Sequence, residues 1–192
     1  PLRKMVCFLF AVSVSGSLLA GCVATPTRAE RPDPPVLMQW EDFRPATTEG
    51  VWIAGQPSEA ALDRFASEAA GRGGLVVNLR TDEEMAYLPY YGRSVSARGV
   101  RYVRIPTSGS TLDAGTVAAF ENAVRGHDGP VLLHCASGGR ATYLWAMLRM
   151  QREGLSADEA IAWAEAERGK PWERGEDILR SFGSASEQRD VE

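Results

Sequence analysis

One short segment, residues 129–142, constrains the fold and the chemistry of this chain more than any other. It reads Gly-Pro-Val-Leu-Leu-His-Cys-Ala-Ser-Gly-Gly-Arg-Ala-Thr. The apolar run at residues 131–133 is typical of a strand that is buried on both faces, and residues 142–151 continue as a strongly apolar helix. The segment therefore predicts a strand, a tight loop and a helix, with Cys135 at the helix N-terminus.

Such a turn would combine an anion site with a nucleophile. The backbone N–H groups that can point into it belong to five consecutive residues: Ala136, Ser137, Gly138, Gly139 and Arg140. The helix dipole and the Arg140 guanidinium favour the thiolate form of Cys135. The alternative is that Cys135 is a buried structural thiol and that the glycines only make a turn. The flanking His134 and Arg140 favour the functional interpretation, because a packing cysteine needs neither.

The first 22 residues carry the pattern of an exported chain. Arg3 and Lys4 precede an uncharged stretch that ends Leu-Ala-Gly-Cys at residues 19–22. These features predict a secretory signal at residues 1–21, too short and too rich in serine and glycine for a good transmembrane helix. The ending resembles the lipobox of bacterial lipoproteins. It implies that Cys22 is acylated and holds the protein on a membrane of the cell envelope, facing the periplasm. An uncleaved anchor or ordinary secretion is the alternative.

Charge and cysteine content narrow the choice of partners. The chain has a net charge of −4, and removing residues 1–21 takes away two basic residues and no acid, which leaves −6. We therefore expect no binding to nucleic acid, and membrane association only through the lipid. Of three cysteines, Cys7 leaves with the signal and Cys22 is acylated, so Cys135 would be the only free thiol. A lone thiol in an oxidising compartment favours a catalytic use.

Apolar runs predict an α/β domain. Residues 22–38 are rich in proline and read as a disordered linker. The remaining length suits one domain at residues 39–185 with a tail at 186–192. Phe43–Pro45 and Val51–Ala54 are expected to form a short antiparallel pair. Strands are expected from the apolar runs at residues 75–79, 100–105 and 131–133, separated by helices as in a parallel sheet. Helix starts are predicted at three caps: Ser58, Thr111, and Ser156 with Glu159. A weaker helix is predicted from Trp172 to Phe182.

The cysteine segment matches the pattern His-Cys-x-Ser-Gly-x-Arg and so resembles the bacterial family of beta-lactamase-hydrolase-like phosphatases. Three upstream segments fit the same family: Ala54-Gly55-Gln56-Pro57, Val76-Val77-Asn78-Leu79-Arg80 and Val103-Arg104-Ile105-Pro106-Thr107-Ser108-Gly109. The resemblance spans residues 40–150. It implies a three-layer fold like that of the dual-specificity phosphatases, with a mostly parallel sheet of four to five strands flanked by helices. It also implies a cysteine-dependent hydrolase of phosphate monoesters.

In the mechanism that the resemblance implies, the Cys135 thiolate attacks phosphorus, and the loop N–H groups and Arg140 hold the phosphate oxygens. His134 would orient the loop by hydrogen bonding and belongs with it to the predicted substrate-binding residues, and a satisfied histidine at a strand end is the alternative. A carboxylic acid then protonates the leaving oxygen, a step that typically contributes about 10²–10⁴-fold. Asp113, the nearest carboxylate after the third predicted strand, is the predicted acid, and a simple carboxylate at a helix start is the alternative. Three residues form the reserve: Asp82, Glu83 and Glu84.

Two features depart from the tyrosine phosphatases. Only four residues separate Cys135 from Arg140, where tyrosine and dual-specificity phosphatases have five, and Ala141 replaces their hydroxyl residue. The shorter loop is common in rhodanese sulfurtransferases, so a Cys135 persulfide enzyme and a non-catalytic anion binder both stay open. No set of His, Cys and acidic residues has metal-ligand spacing, and neither a metal nor another cofactor is predicted. The expected partner is a phosphorylated small molecule or a phosphoprotein, including phosphotyrosine, and the chain is expected to be a monomer.

Overall fold

The structure, a computed structural model, describes residues 36–46 and 50–189, and these belong to one compact unit. Side chains of residues 186–189 are not described. The predicted signal, Cys22, most of the linker and the end of the predicted tail lie outside the described residues. Within the described ranges, every helix falls short of the length or the apolar character that a membrane span requires.

Across residues 36–46 and 50–189, five strands form one sheet in the order β1-β2-β5-β3-β4. They are β1 (Arg44–Pro45), β2 (Val51–Ala54), β3 (Leu75–Asn78), β4 (Arg101–Arg104) and β5 (Val131–His134). Only β1 is antiparallel to its neighbour, with Arg44 opposite Ile53, and the other four strands run parallel. The predicted antiparallel pair and the mostly parallel sheet are both confirmed.

Strands β3 and β5 lie inside the sheet and are buried along their whole length. This burial on both faces explains why each carries a run of apolar residues. In the part of the chain that the structure describes, seven α-helices flank the sheet: α1 (Glu59–Glu68), α2 (Asp82–Met85), α3 (Tyr91–Ala97), α4 (Ala114–Val124), α5 (Gly139–Glu153), α6 (Ala157–Arg168) and α7 (Glu173–Arg189). A short 3₁₀ helix (Trp40–Asp42) precedes β1.

Successive residues of each inner strand point to opposite faces of the sheet and so belong to two separate hydrophobic cores. Val76 and Leu132 pack with α1 and α3 on one face, whereas Val77 and Leu133 pack with α4 to α7 on the other. These two apolar faces make the three layers that the resemblance implied.

Helix α5 is the centre of the larger core. Ten of its fifteen residues are buried, and it packs against α6 and α7 as well as the sheet. A helix enclosed on nearly all sides reads as apolar all round, as this one does. Its burial fixes the position of its N-terminus at the end of β5.

Most predicted helix starts are confirmed, and one is wrong. Ser58 accepts the Ala61 N–H, and Ser156 forms a capping box with Glu159. The predicted cap Thr111 is not the start of α4, because the Asp113 carboxylate accepts the Thr116 N–H at 3.0 Å and starts the helix at Ala114. The last helix is longer than expected and ends at Arg189.

Candidate active site

The predicted strand, loop and helix around Cys135 are confirmed. Cys135 directly follows β5 and is 1% exposed. Gly138 precedes α5 with φ +87°, a left-handed conformation that glycine adopts without strain. The first backbone bond into α5 runs from Thr142 N–H to Gly138 O, at 2.9 Å. The N–H groups of residues 139–141 come before it and have no backbone acceptor in the described chain. We call residues 135–140 the cysteine loop.

The end of strand β2 supports the cysteine loop. Cys135 N–H donates to Ala54 O at 3.3 Å, and Gln56 N–H donates to Ala136 O at 3.0 Å. A Cβ atom on Gly55 would lie 2.9 Å from Ala136 O, closer than real contacts allow. The glycine of the Ala-Gly-Gln-Pro segment is therefore needed for packing, because it lets the backbone of this segment contact the backbone of the cysteine loop directly.

Arg140 forms a bidentate ion pair with Glu84. Nη1 and Nη2 of Arg140 donate to Oε2 and Oε1 of Glu84 at 2.8 and 2.6 Å, and Nη1 also donates to Thr107 O at 2.6 Å. Burial alone would lower the pKa of Arg140, but Glu84 and the adjacent Cys135 side chain raise it. Glu84 therefore occupies the edge of the guanidinium that Nη1 and Nη2 form. Its other edge, Nε with Nη2, has no hydrogen-bond acceptor other than Glu84 and Cys135 among the described residues.

Glu84 is the most important site residue whose role the sequence analysis missed. It was predicted only as a reserve acid. Burial alone would raise its pKa, but hydrogen bonds from Arg140 and from Thr81 N–H hold its pKa below the usual value. An ionised, doubly paired carboxylate accepts hydrogen bonds and is a poor proton donor. The signal that could have placed it is the Thr-x-x-Glu capping box at residues 81–84.

His134 lies behind the cysteine loop and is fully buried. Its Nδ1 is 3.3 Å from Cys135 O, and its Nε2 is 3.1 Å from the Tyr91 hydroxyl. Burial lowers the pKa of His134 to about 3, so the ring is neutral. The contacts fit a tautomer in which Nδ1–H donates to Cys135 O and Nε2 accepts from Tyr91. Among the roles predicted for His134, this placement favours orienting the loop over contacting a ligand.

A buried arginine joins the upstream segments behind the loop. Arg80 is 3% exposed, and its Nη1 and Nη2 donate to Gln56 Oε1 and Glu84 O, both at 2.7 Å. Burial lowers the pKa of Arg80. Its backbone N–H donates to Asn78 Oδ1 at 2.8 Å. The sequence analysis gave Arg80 no role, although Gln56, Asn78 and Arg80 all lie in segments that carried the family resemblance.

Asp113 lies at the start of α4, with an exposed side chain that caps this helix. Within the described residues its side chain bonds to Thr116, and none of its hydrogen bonds goes to the cysteine loop. Of the reserve acids, Asp82 pairs with Arg104 at 2.7 Å and Glu83 is exposed. The assignment of the general acid to Asp113 stays a prediction.

Comparisons with known proteins agree with this geometry. The family model for the phosphatase-like domain of beta-lactamase hydrolase-like proteins matches residues 42–151. A beta-lactamase hydrolase-like protein of Xylella fastidiosa is 30% identical over 134 residues, which cover 61% of this chain and 30% of that protein. The chain thus spans under a third of the length of this curated relative.

Solved structures show the same fold. The structure of Tk-PTP in its active form has a TM-score of 0.59 and 26% identity, covering 76% of this chain and 99% of that one. TpbA of Pseudomonas aeruginosa has a TM-score of 0.57 and 17% identity, covering 73% of this chain and 84% of that one. The likeness to TpbA shows the fold alone, whereas Tk-PTP and the matching phosphatase-like family model support a phosphatase here. The chain belongs to the family of beta-lactamase hydrolase-like proteins and carries their phosphatase-like domain.

Proposed function

We propose that this protein is a cysteine-dependent phosphatase that hydrolyses phosphate monoesters through a phosphocysteine intermediate. One observation carries the proposal. Cys135 lies beside Arg140 at the N-terminus of α5, where the first helical N–H groups and one guanidinium edge are available to a tetrahedral dianion.

The reaction would proceed in two displacements at phosphorus. The Cys135 sulfur forms a bond to phosphorus as the ester oxygen leaves, and an acid, Asp113 in our proposal, protonates that oxygen. Water then attacks phosphorus and gives a proton to the same carboxylate as the sulfur–phosphorus bond breaks, which releases inorganic phosphate and restores both the thiolate and the acid. Arg140 and the N–H groups of residues 139–141 would stabilise the equatorial oxygens in both steps.

A rhodanese-like sulfurtransferase is the second candidate, because only four residues separate Cys135 from Arg140. In that reaction Cys135 would take the outer sulfur of thiosulfate, releasing sulfite, and pass it from a persulfide to cyanide. The third candidate function is non-catalytic binding of an anion at the cysteine loop.

A paired assay separates these candidates. Purified protein is given phenyl phosphate and, separately, thiosulfate with cyanide, and each assay is repeated with Cys135→Ser. We expect phosphate release by the original protein, no release by Cys135→Ser, and little thiocyanate. Thiocyanate with one added sulfur on Cys135 by intact mass would favour the sulfurtransferase. Phosphate release that survives in Cys135→Ser would contradict the role of Cys135 as the nucleophile.

We also propose that the protein is lipid-anchored in the bacterial envelope and faces the periplasm. The basis is the sequence ending at Cys22, which lies outside the described residues. Membrane fractionation and mass spectrometry test this idea. We expect a mature protein that begins at an acylated Cys22, and an unmodified N-terminus at any other residue would contradict it.

A further inference from the structure

The cysteine loop also forms part of the wall of a cavity. This cavity of about 300 Å³ is lined by Val36, Met38, Arg44, Ala136, Ser137, Arg168 and Lys170. We call it the basic cavity, because three of its seven lining residues are cations and none is an acid. In a chain with a net charge of −4, such a local excess of positive charge is unexpected on composition alone.

The three cations come from separate parts of the chain. Arg44 lies on β1, Arg168 is the last residue of α6, and Lys170 follows two residues later. Within the described residues, none of the three is in an ion pair with a carboxylate, whereas Arg98 contacts both Glu59 and Asp63. Converging cations that lack acidic partners create a positive potential that attracts anions.

Arg168 connects the basic cavity to the cysteine loop. Its guanidinium lies over the rings of Tyr143 and Trp172, with Cζ 5.8 and 5.6 Å from the two ring centroids. Its Nε and Nη2 both lie 3.6 Å from the point that a Cβ atom on Gly139 would occupy. The donor edge of Arg168 therefore faces the first residue of α5, whose N–H group belongs to the proposed phosphate site.

We propose that the basic cavity binds a second phosphate group of the substrate, so that the preferred substrates are small molecules carrying two phosphates. The inference rests on the proposed phosphatase function, since one phosphate would occupy the cysteine loop and react there. The other would lie near Arg44, Arg168 and Lys170 and stay on the product. Three cations offset the repulsion between two neighbouring dianions, and a monophosphate held at the cysteine loop places no phosphate group among them.

Matched substrates test this proposal. Alkanediol bisphosphates of three to six carbons are compared with alkyl monophosphates of the same length, so that only the second phosphate differs. We expect at least one bisphosphate to have a higher kcat/KM than its monophosphate. In the double variant Arg44→Gln/Lys170→Gln, this preference should fall by about tenfold, as expected for losing two charge-assisted contacts at a partly exposed site. The control is Arg125→Gln, an exposed cation at the opposite end of the sheet, which should keep the preference.

A binding measurement separates failure of this inference from failure of the phosphatase proposal. Calorimetry on Cys135→Ser, which keeps the loop backbone, compares the same ligand pairs with and without the double variant. Tighter bisphosphate binding that the double variant abolishes would support the basic cavity even if no ester is hydrolysed. Equal affinity for both ligands, or equal losses for both in the double variant, would overturn the second-phosphate site even if monophosphates are turned over.

Discussion

The cysteine loop and the loop after β4, residues 105–113, lie at the same edge of the sheet but are held in different ways. Bonds from Ala54, Gln56 and Glu84, which are distant in sequence, fix the cysteine loop. The β4 loop is bonded to its surroundings near Thr107, and Leu112 is buried in the larger core. The segment between them is held mainly by the hydroxyl groups of its own residues.

This difference distinguishes the two parts of the proposed reaction, phosphate binding and proton donation, by how far their residues are held in position before substrate binds. The anion site is pre-organised, because its donors already have fixed positions and the Arg140 guanidinium is held by Glu84. The proposed acid has no such support, since the Asp113 carboxylate is committed to capping α4. Substitutions in each loop would reveal whether both loops take part in one reaction.

After Cys135→Ser, the largest effect is expected for Asp113→Asn. If Asp113 protonates the leaving oxygen, hydrolysis of phenyl phosphate should slow by about 10²–10⁴-fold, and nitrophenyl phosphate should suffer much less because its leaving group is stable as an anion. Asparagine is as good an N-cap as aspartate, so α4 should keep its start. Steady-state rates on both esters provide the measurement.

Asp113→Ser is the matched control, because serine also caps helices and cannot act as the acid. It should reproduce the same ratio between the two esters. Equal losses on both esters would indicate structural damage to the β4 loop. Unchanged rates would place the acid elsewhere and separate the two loops functionally.

The same contrast explains what could be predicted from the sequence. The strand, loop and helix around Cys135 follow from local signals, namely a buried apolar run, a glycine pair and an apolar helix. The start of α4 was misplaced because Thr111 and Asp113 are both good caps and only the packed structure selects between them. The pairing of Arg140 with Glu84 joins residues 56 positions apart, and no local pattern encodes such a contact.

The second prediction concerns the cation of the cysteine loop. Arg140→Lys should lower kcat/KM for phenyl phosphate by about 10²–10³-fold, the cost typical of losing one transition-state donor. A lysine keeps the charge but cannot donate through two edges to Glu84 and to phosphate together. Near-normal activity in this variant would mean that the loop needs only a positive charge and that its pre-organisation is unimportant.

The third prediction sharpens the role of Glu84. Glu84→Gln should lower kcat/KM by about tenfold and stability by about 1.5–3 kcal/mol, the range for a hydrogen bond to a charged group. Steady-state rates measure the change in kcat/KM, and thermal unfolding measures the change in stability. The control is Asp82→Asn in the same helical turn, whose carboxylate side chain is 79% exposed and should contribute about 1 kcal/mol or less.

If Glu84 acts through Arg140, the double variant Glu84→Gln/Arg140→Lys should be little less active than Arg140→Lys alone. Simple multiplication of the two single losses would show that Glu84 acts independently of Arg140.

The smallest effect is expected from His134, which supports the cysteine loop from behind. Its pKa of about 3 in the folded protein is below the ordinary value near 6.5. Between these values the unfolded chain binds a proton that the folded chain does not, so stability falls as the pH falls through this window. From pH 6 to pH 5, above most carboxylate titrations, the loss should be about 1 kcal/mol.

Chemical denaturation at several pH values measures this slope. In His134→Gln the slope between pH 6 and pH 5 should disappear, whereas His127→Gln keeps the buried histidine and should keep the slope. If His134→Gln does not fold, NMR titration of the original protein gives the same information, because the His134 ring should remain unprotonated at pH 5. A ring that titrates near 6.5 would mean that water reaches the back of the cysteine loop. The rigid support that distinguishes this loop from the β4 loop would then be absent.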